Sequence, residues 1–446
     1  MWRVSGFPGD RYKRFLAASQ SWSRTQLIEY RDEKLRRLVK HCYDDVPYYR
    51  REMEVRHLTP SDIRGAADLT KLPVLTKAAV RSQSKDLLAP SFSARDVTWS
   101  KTGGTTGEPM RVAKTRDCEA WAAMCFERGL EWGGLSFDQP CVRIFGGSLG
   151  LGRPRLSTRL GKLLRADVFV PAFELRSDTA PRYIGMIRES GLHFVVGYAS
   201  ALYSLALLAE NLGERLRFTA VFPTAELLLP EWATVIRRAF HCVILPFYGC
   251  GEINSLGYCR ADGGAYYIPE EHAVIEVVSE RDEAALSGDG RFLVTDLDNY
   301  AMPMLRYQNG DAGKIREPDD DASPFSGIER LDGRVNSFLM TDKGCLISGV
   351  IGTHVFREVT AVKAYQIIQE EPRRIVIKIV EAPEYTEADE RFIVGLFARY
   401  LGEGMRIGVE KVPSIPTSRS GKAVFVINRC LDEATGLAAR EEVEGT

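Results

Sequence analysis

Along residues 27–43, LIEYRDEKLRRLVKHCY, the apolar positions Ile28, Leu35, Leu38, Val39 and Cys42 recur at helical spacing, with charges between them. The stretch that follows, DVPYYR, is aromatic and broken by proline, so it is expected to leave the helix and pack on the body. Between about 140 and 300 the pattern changes. CVRIFGG (141–147), HFVVGYA (193–199), TAVFPTAE (219–226) and CVILPFYG (242–249) read as buried strands ending in small or polar residues. PRYIGMIRESG (181–191), ALYSLALLAENLG (201–213) and PEWATVIRRAF (230–240) read as the helices between them. Such alternation predicts a layered α/β core with parallel strands, and ligands of these sheets bind beyond the carboxyl ends of the strands. Tyr248, Gly249 and Glu252 are expected at one such end, directly after CVILPF.

A second character begins after about residue 335. AYQIIQE and RRIVIKIVEA read as antiparallel strands joined by a charged turn at EPRR. TEADERFIVGLFARYLGEG opens with Thr386 and carries Asp389 three residues on, a capping-box start. Phe392, Ile393, Leu396, Phe397, Tyr400 and Leu401 then fall on one helical face, and RIGVEKV gives another strand. With the boundary placed at GRVNS (333–337), the expectation is a large layered α/β domain over 1–334, with mixed and parallel sheets, and a small α+β domain over 335–446.

Composition narrows the classes. The 446 residues carry 59 Lys plus Arg against 60 Asp plus Glu, so no net field recruits nucleic acid or an anionic membrane. No run approaches the roughly 18 apolar residues of a membrane span, and MWRVSGFPGDRYKRF lacks the apolar core of a leader, which makes the cytoplasm the expected location. Nine scattered cysteines suit reduced thiols better than a disulfide framework.

Five segments offer chemistry. SKTGGTTGEPM (100–110) has little bulk and many N–H and hydroxyl donors; it reads either as a linker or as an anion cradle. It is not the lysine-bearing phosphate loop, because Gly107 is followed by Glu108 and Pro109. YGCGE (248–252) offers a ring, close backbone approach and a carboxylate able to hold magnesium, or is a surface loop. TDLDNYAMPMLRYQNGDAGKI (295–315) gathers Asp296, Arg306 and Asp311; Asp311 after Asn-Gly is a turn former or a ribose acceptor. DGR (332–334) is a plain turn or brings Arg334 to a nucleotide. SRSGK (418–422) is a solvated turn or carries Lys422 into a cleft to neutralise a transition state.

The succession TGGTTGEP, YGCGE, TDLDNYAMPMLRYQNGD, DGR and SGK resembles the adenylate-forming ligases. It is most similar to the phenylacetate–CoA ligase-like group and its capsular-polysaccharide-biosynthesis branch. HCYDDVPYYR (41–50), LTKLPVLTK (69–77) and YQIIQE (365–370) fit that branch too, so the resemblance spans about residues 27–430. It implies that Thr102, Gly103, Gly104, Thr105, Thr106 and Gly107 wrap the β- and γ-phosphates of ATP. It implies that Ala225, Glu226, Tyr248 and Gly249 flank the adenine and that Glu252 holds Mg2+. By the same resemblance Asp311 takes the ribose hydroxyls, Arg334 approaches the nucleotide, and Asn336 is the hinge of a mobile small domain. Thr105, Glu252 and Lys422 would be the catalytic residues of an AMP-forming ligase. A carboxylate would be adenylated and its acyl group then passed to an acceptor.

Three departures bear on this. Tyr267 stands where relatives often carry a histidine, and Cys250, Cys259 and His272 make a three-member zinc set without a fourth ligand. The plain reading of that set is two buried thiols and a surface histidine. Asn336 replaces a more usual acidic residue or lysine, and SGVIGTHVFREV (348–359) is glycine-rich where a proline is common. The acceptor stays open between coenzyme A and the amine of an amino sugar or amino acid. A reading of a different class is a catalytically reduced nucleotide-binding assembly protein. Phe145, Gly146, Phe173, Tyr198 and Phe222 end or flank the strands that would wall the acid pocket, or else pack the core. Relatives suggest a homodimer.

Overall fold

The computed structural model describes residues 9–101, 110–136, 139–146, 167–279, 281–318, 323–332, 338–344, 346–359, 361–415 and 426–430. The chain divides into two compact units, each assembled from separated segments.

The first unit takes residues 1–102, 110–139 and 245–333. Its second helix, Arg24–Asp45, begins at a capping box in which Ser23 and Gln26 satisfy each other's backbone N–H groups. The helix buries Leu27, Leu35, Leu38, Val39 and Cys42. DVPYYR does not run on as coil: Pro47 opens another helix, Pro47–Val55, because a proline in the first helical turn removes no needed donor. Tyr48 and Tyr49 of that helix are buried, and the Tyr49 hydroxyl donates to Pro303 O (3.0 Å) while accepting from Leu305 N (2.9 Å).

The sheet of this unit has eight strands. Their order is Ala284–Ala285, Ala273–Val278, Gly288–Asp296, Tyr307–Arg316, Gly327–Asp332, Tyr266–Tyr267, Gly257–Cys259 and Phe247–Tyr248, every pair antiparallel. The hairpin Val97–Lys101/Arg111–Thr115 stands apart and carries the glycine–threonine loop between its strands; residues 102–109 themselves lie outside the described residues.

Buried charges tie the helices Arg24–Asp45 and Arg116–Trp132 to the turn that leads into the strand Ala273–Val278. Arg24 and Arg31 meet Glu270 at 2.6 and 2.7 Å, and Arg128 meets Glu271 at 2.7 Å. Removing one partner from such a pair leaves an uncompensated charge, at a cost of about 3–5 kcal/mol.

The second unit takes residues 103–109, 140–244 and 334–446. Its five-stranded sheet is wholly parallel, in the order Val168–Pro171, Val142–Phe145, Phe194–Tyr198, Ala220–Thr224, Val243–Ile244. Helices Ala180–Ser190, Ala199–Asn211 and Pro230–Phe240 alternate with the strands, as the pattern predicts.

One expected strand is two. CVILPFYG pairs in the parallel sheet only over Val243–Ile244, and Phe247–Tyr248 belongs to the antiparallel sheet of the first unit. Pro246 has no N–H to give a ladder, so the chain leaves one sheet there and enters the other. Tyr248, Gly249 and Glu252 therefore do not sit at the carboxyl end of a parallel strand.

The C-terminal part forms a four-stranded sheet, ordered Arg406–Lys411, Arg374–Glu381, Val362–Glu371, Val426–Asn428. The helix Glu387–Leu401 opens with the capping box of Thr386 and Asp389 and buries Ile393, Leu396, Phe397, Tyr400 and Leu401; Phe392 is only partly covered. This part shares one apolar cluster with the parallel sheet, and Phe173 and Tyr400 meet edge to face at 5.7 Å.

Candidate active site

The segment after Tyr248 is a tight turn. Leu256 N donates to Tyr248 O (2.9 Å) and Cys250 N to Ile253 O (3.1 Å). A Cβ on Gly249 would meet Ser255 N at 3.0 Å, so any other residue would press the two backbones apart. The turn presents Glu252, whose side chain is almost fully buried. Its Oε1 accepts from the Tyr307 hydroxyl at 2.8 Å and lies 3.6 Å from Lys77 Nζ. Its other oxygen takes no partner among the described residues.

Lys77 reaches this carboxylate because LTKLPVLTK is pinned to the strand that carries Tyr307. Leu75 bridges Tyr307, with Leu75 N donating to Arg306 O and Gln308 N to Leu75 O. Arg306 fixes the other end: its Nε reaches both oxygens of Glu276 (3.1 and 3.0 Å) and its terminal nitrogen donates to Leu72 O at 2.6 Å. Arg306 is thus a buried clamp.

Asp311 is not in a turn. Against Arg291–Leu293 the facing strand runs from Gln308 to Ala312, so Asn309-Gly310-Asp311 is a bulge with Gly310 at φ 96°. Bulges re-aim side chains. Here the Tyr248 hydroxyl donates to Asp311 Oδ2 (2.9 Å), and Asn309 Nδ2 donates to both the Tyr248 oxygen (2.7 Å) and Asp311 Oδ2 (3.0 Å). Burial first, and the Asp311 charge next, push the Tyr248 phenol well above its ordinary pKa, so it remains a donor. Burial and the neighbouring Glu252 likewise push the Cys250 thiol up, which keeps it from acting as a thiolate.

The structure thus brings Tyr248, Gly249, Glu252 and Asp311 onto one face of one sheet's loops and bulge. Lys77, Tyr307 and Asn309 join them without having been singled out in the sequence. Tyr307 and Asn309 lie inside RYQNGD, quoted for its chemistry, and Lys77 is the last residue of LTKLPVLTK, quoted only for the resemblance.

In the second unit Ala225 and Glu226 follow the strand Ala220–Thr224. Ala225 is held at φ 67°, a left-handed conformation costly for a residue with a Cβ. Glu226 Oε2 accepts from Ser200 N at 2.9 Å, in the first turn of the helix Ala199–Asn211. Phe145 and Tyr198 end the two strands flanking the point where strand order reverses, and their rings meet at 5.3 Å. That reversal is where α/β sheets open a crevice. Gly146 follows Phe145, and Phe173 lies 6.4 Å from Tyr198. Phe222 is different. It is the middle residue of its strand, fully buried, with Phe194 at 6.5 Å, so it does not end a strand as expected.

His272 is fully buried rather than at the surface. Its Nδ1 bonds Asp298 (2.6 Å) and its Nε2 faces Asn254 O (3.0 Å); Lys34 also meets Asp298 at 2.6 Å. Cys250 bonds Ile253 and Cys259 bonds Gly264 O, so neither thiol converges on the imidazole; the groups that do are Asp296 and Asp298. Thr102, Gly103, Gly104, Thr105, Thr106, Gly107, Arg334, Asn336 and Lys422 lie outside the described residues.

Residues 339–429 match the family model of the CapK C-terminal domain. Phenylacetate-coenzyme A ligase of Escherichia coli (strain K12) is 26% identical over 321 residues, 69% of this chain and 71% of that protein. The enzyme of the same name from Aromatoleum evansii is 23% identical over 343 residues, 75% of each. A solved structure of 2-hydroxyisobutyryl-CoA ligase, in complex with 2-HIB-AMP and CoA, aligns over 92% of this chain and 91% of its own. The TM-score is 0.63 at 16% identity, a likeness of fold.

Proposed function

The chain belongs to the adenylate-forming ligases of phenylacetate–CoA ligase type, and from that membership we propose that it activates a small carboxylic acid with ATP and passes the acyl group to coenzyme A. The observation that carries the reading is the pair of acidic groups on the first unit's sheet: Glu252 held by Tyr307 beside Lys77, and Asp311 held by Tyr248 and Asn309.

The donor set fits a magnesium ion. A hard cation that keeps its waters needs one or two carboxylates, and Glu252 has one oxygen anchored and one open. Bound there, the ion would neutralise phosphate charge. Asp311 would accept ribose hydroxyls, a role supported by the orientation that Tyr248 and Asn309 give its carboxylate at Oδ2. Tyr248 and Gly249 offer a ring edge and bare backbone beside it. The glycine–threonine loop and Arg334 enter as the resemblance assigns them, and Lys422 would be carried by a small C-terminal domain that turns about Asn336. The substrate carboxylate attacks the α-phosphorus, pyrophosphate leaves, and the acceptor then displaces AMP. No protein nucleophile is required; the chain's work is placement and stabilisation of charge on the phosphate oxygens.

Acid-dependent exchange of labelled pyrophosphate into ATP, across aryl, aliphatic and amino acids, tests the first half-reaction. Product analysis with CoA tests the second. A chain that binds ATP but exchanges with no acid of the panel would overturn the reading. The resemblance to the capsular-polysaccharide-biosynthesis branch supports a second acceptor, an amine of an amino sugar or amino acid. An amide product in place of a thioester would establish it.

A further inference from the structure

The first unit holds a half-open cavity of about 590 Å³ on the N-terminal helices, lined by residues that the reading above leaves unused. Its volume lies in the range that encloses a small organic ligand. Five rings face it, from Tyr12, Tyr30, Phe92, Trp121 and Tyr300, with the imidazole of His41 among them. Some of these rings also pack on one another: Tyr12 and Trp121 stack at 4.5 Å, and His41 lies 5.0 Å from Tyr300.

The polar groups of the cavity fall into two sets. The carboxylates are already matched: Asp298 by Lys34 and His272, and Glu33 by Arg36 and Arg37. Asp117 is met by the Tyr12 hydroxyl. Several donors are not matched. His41 uses Nε2 on Tyr300 O at 2.8 Å and leaves Nδ1 open. Among the described residues the Arg11 guanidinium and the hydroxyls of Tyr30 and Tyr300 take no hydrogen-bond partner, and Arg37 engages Glu33 through Nε, leaving its terminal nitrogens. Arginine offers planar, paired donors suited to carboxylate or phosphate.

The cavity is set apart from the acidic pair. Lys114 and Thr115 are consecutive on the strand Arg111–Thr115, where successive side chains point to opposite faces. Lys114 donates to Gly251 O at 3.4 Å, next to Glu252, whereas Thr115 lines the cavity.

We propose that this cavity is a second small-molecule site, taking a planar aromatic ring that carries one anionic group, with the ring among Tyr30, Trp121 and Tyr300 and the anion toward Arg11 and Arg37. Two sources share that chemistry, an aryl carboxylate and a nucleoside monophosphate. The inference stands independently of the ligase reading.

The test follows the indole N–H resonance of Trp121, assigned through Trp121→Phe, while the full chain is titrated with phenylacetate, AMP or neutral benzyl alcohol. A saturable shift with phenylacetate or AMP, weakened tenfold or more in Arg11→Ala/Arg37→Ala, supports the site, and the anion that binds names the source. Pyrophosphate exchange is expected unchanged in that double variant, since neither arginine belongs to the catalytic machinery. No shift with either anion up to about 10 mM overturns the proposal. So does binding of benzyl alcohol as tight as that of the anions in both proteins. His41→Ala provides a second variant, expected to weaken the anion as well.

Discussion

At Glu252 a single hydroxyl decides how a buried carboxylate points. Hydrogen bonds to charged groups contribute about 1.5–3 kcal/mol. Tyr307→Phe removes the 2.8 Å donor while keeping the ring, and should slow pyrophosphate exchange about tenfold or more and raise the magnesium needed for half-maximal rate. Glu252→Gln should slow it further. An unchanged magnesium dependence in both variants would remove Glu252 from the metal site. Lys422→Ala, on the role the resemblance gives it, should slow adenylation by about 10²–10³-fold, the usual effect of losing one charge-stabilising donor; exchange at the parent rate would sink that role. The sequence made Glu252 and Asp311 visible because carboxylates stand out beside glycines. It left Tyr307 and Asn309 hidden, because a tyrosine or asparagine has no signature until the fold shows what it touches.

Among the elements, those with local signals were legible. The box of Thr386 and Asp389 and the apolar face behind it mark the helix Glu387–Leu401 without any tertiary information. Thr386→Ala should destabilise by about 1 kcal/mol. It should lower the urea midpoint of the second unit at constant slope, whereas Thr386→Asp should not; equal midpoints for Ala and Asp would show that the cap contributes nothing. Elements whose ends depend on pairing were not legible. CVILPFYG is continuous in hydrophobicity, and only partners in two different sheets divide it at Pro246. Asn309-Gly310-Asp311 has the composition of a turn, yet the long ladders on either side hold it in a strand, where it becomes a bulge.

For the whole molecule, the buried group around His272 links stability to pH. Burial disfavours the imidazolium, but the Asp298 hydrogen bond and the charges of Asp296 and Asp298 outweigh it, against Lys34, and raise the pKa above the ordinary value. A raised value means that the protonated ring stabilises the fold fully below about pH 6.5 and loses that contribution as pH rises through the folded-state value. Thermal midpoints should therefore fall between pH 6 and pH 8 more in the parent chain than in His272→Gln. Parallel pH profiles would assign the decline to other groups. The α/β alternation was readable across the parallel sheet. The division into units was not, because contacts between residues 140–244 and 338–430 leave no trace in either segment alone.

That division has a consequence for biosynthesis. The parallel sheet is complete at residue 244, but its apolar cluster also needs the strands and helix that end at Asn428. At ribosomal speeds of about 5–20 residues per second, the intervening stretch takes roughly 10–40 s to emerge. During that interval the nascent chain displays Phe173, Tyr198 and their neighbours without their cover, a surface for chaperones or for premature association. Ribosome-bound chains halted near residue 340 should be cut readily by protease within 167–244, and chains released past residue 430 should resist there. Equal resistance in both would mean that the parallel sheet matures alone.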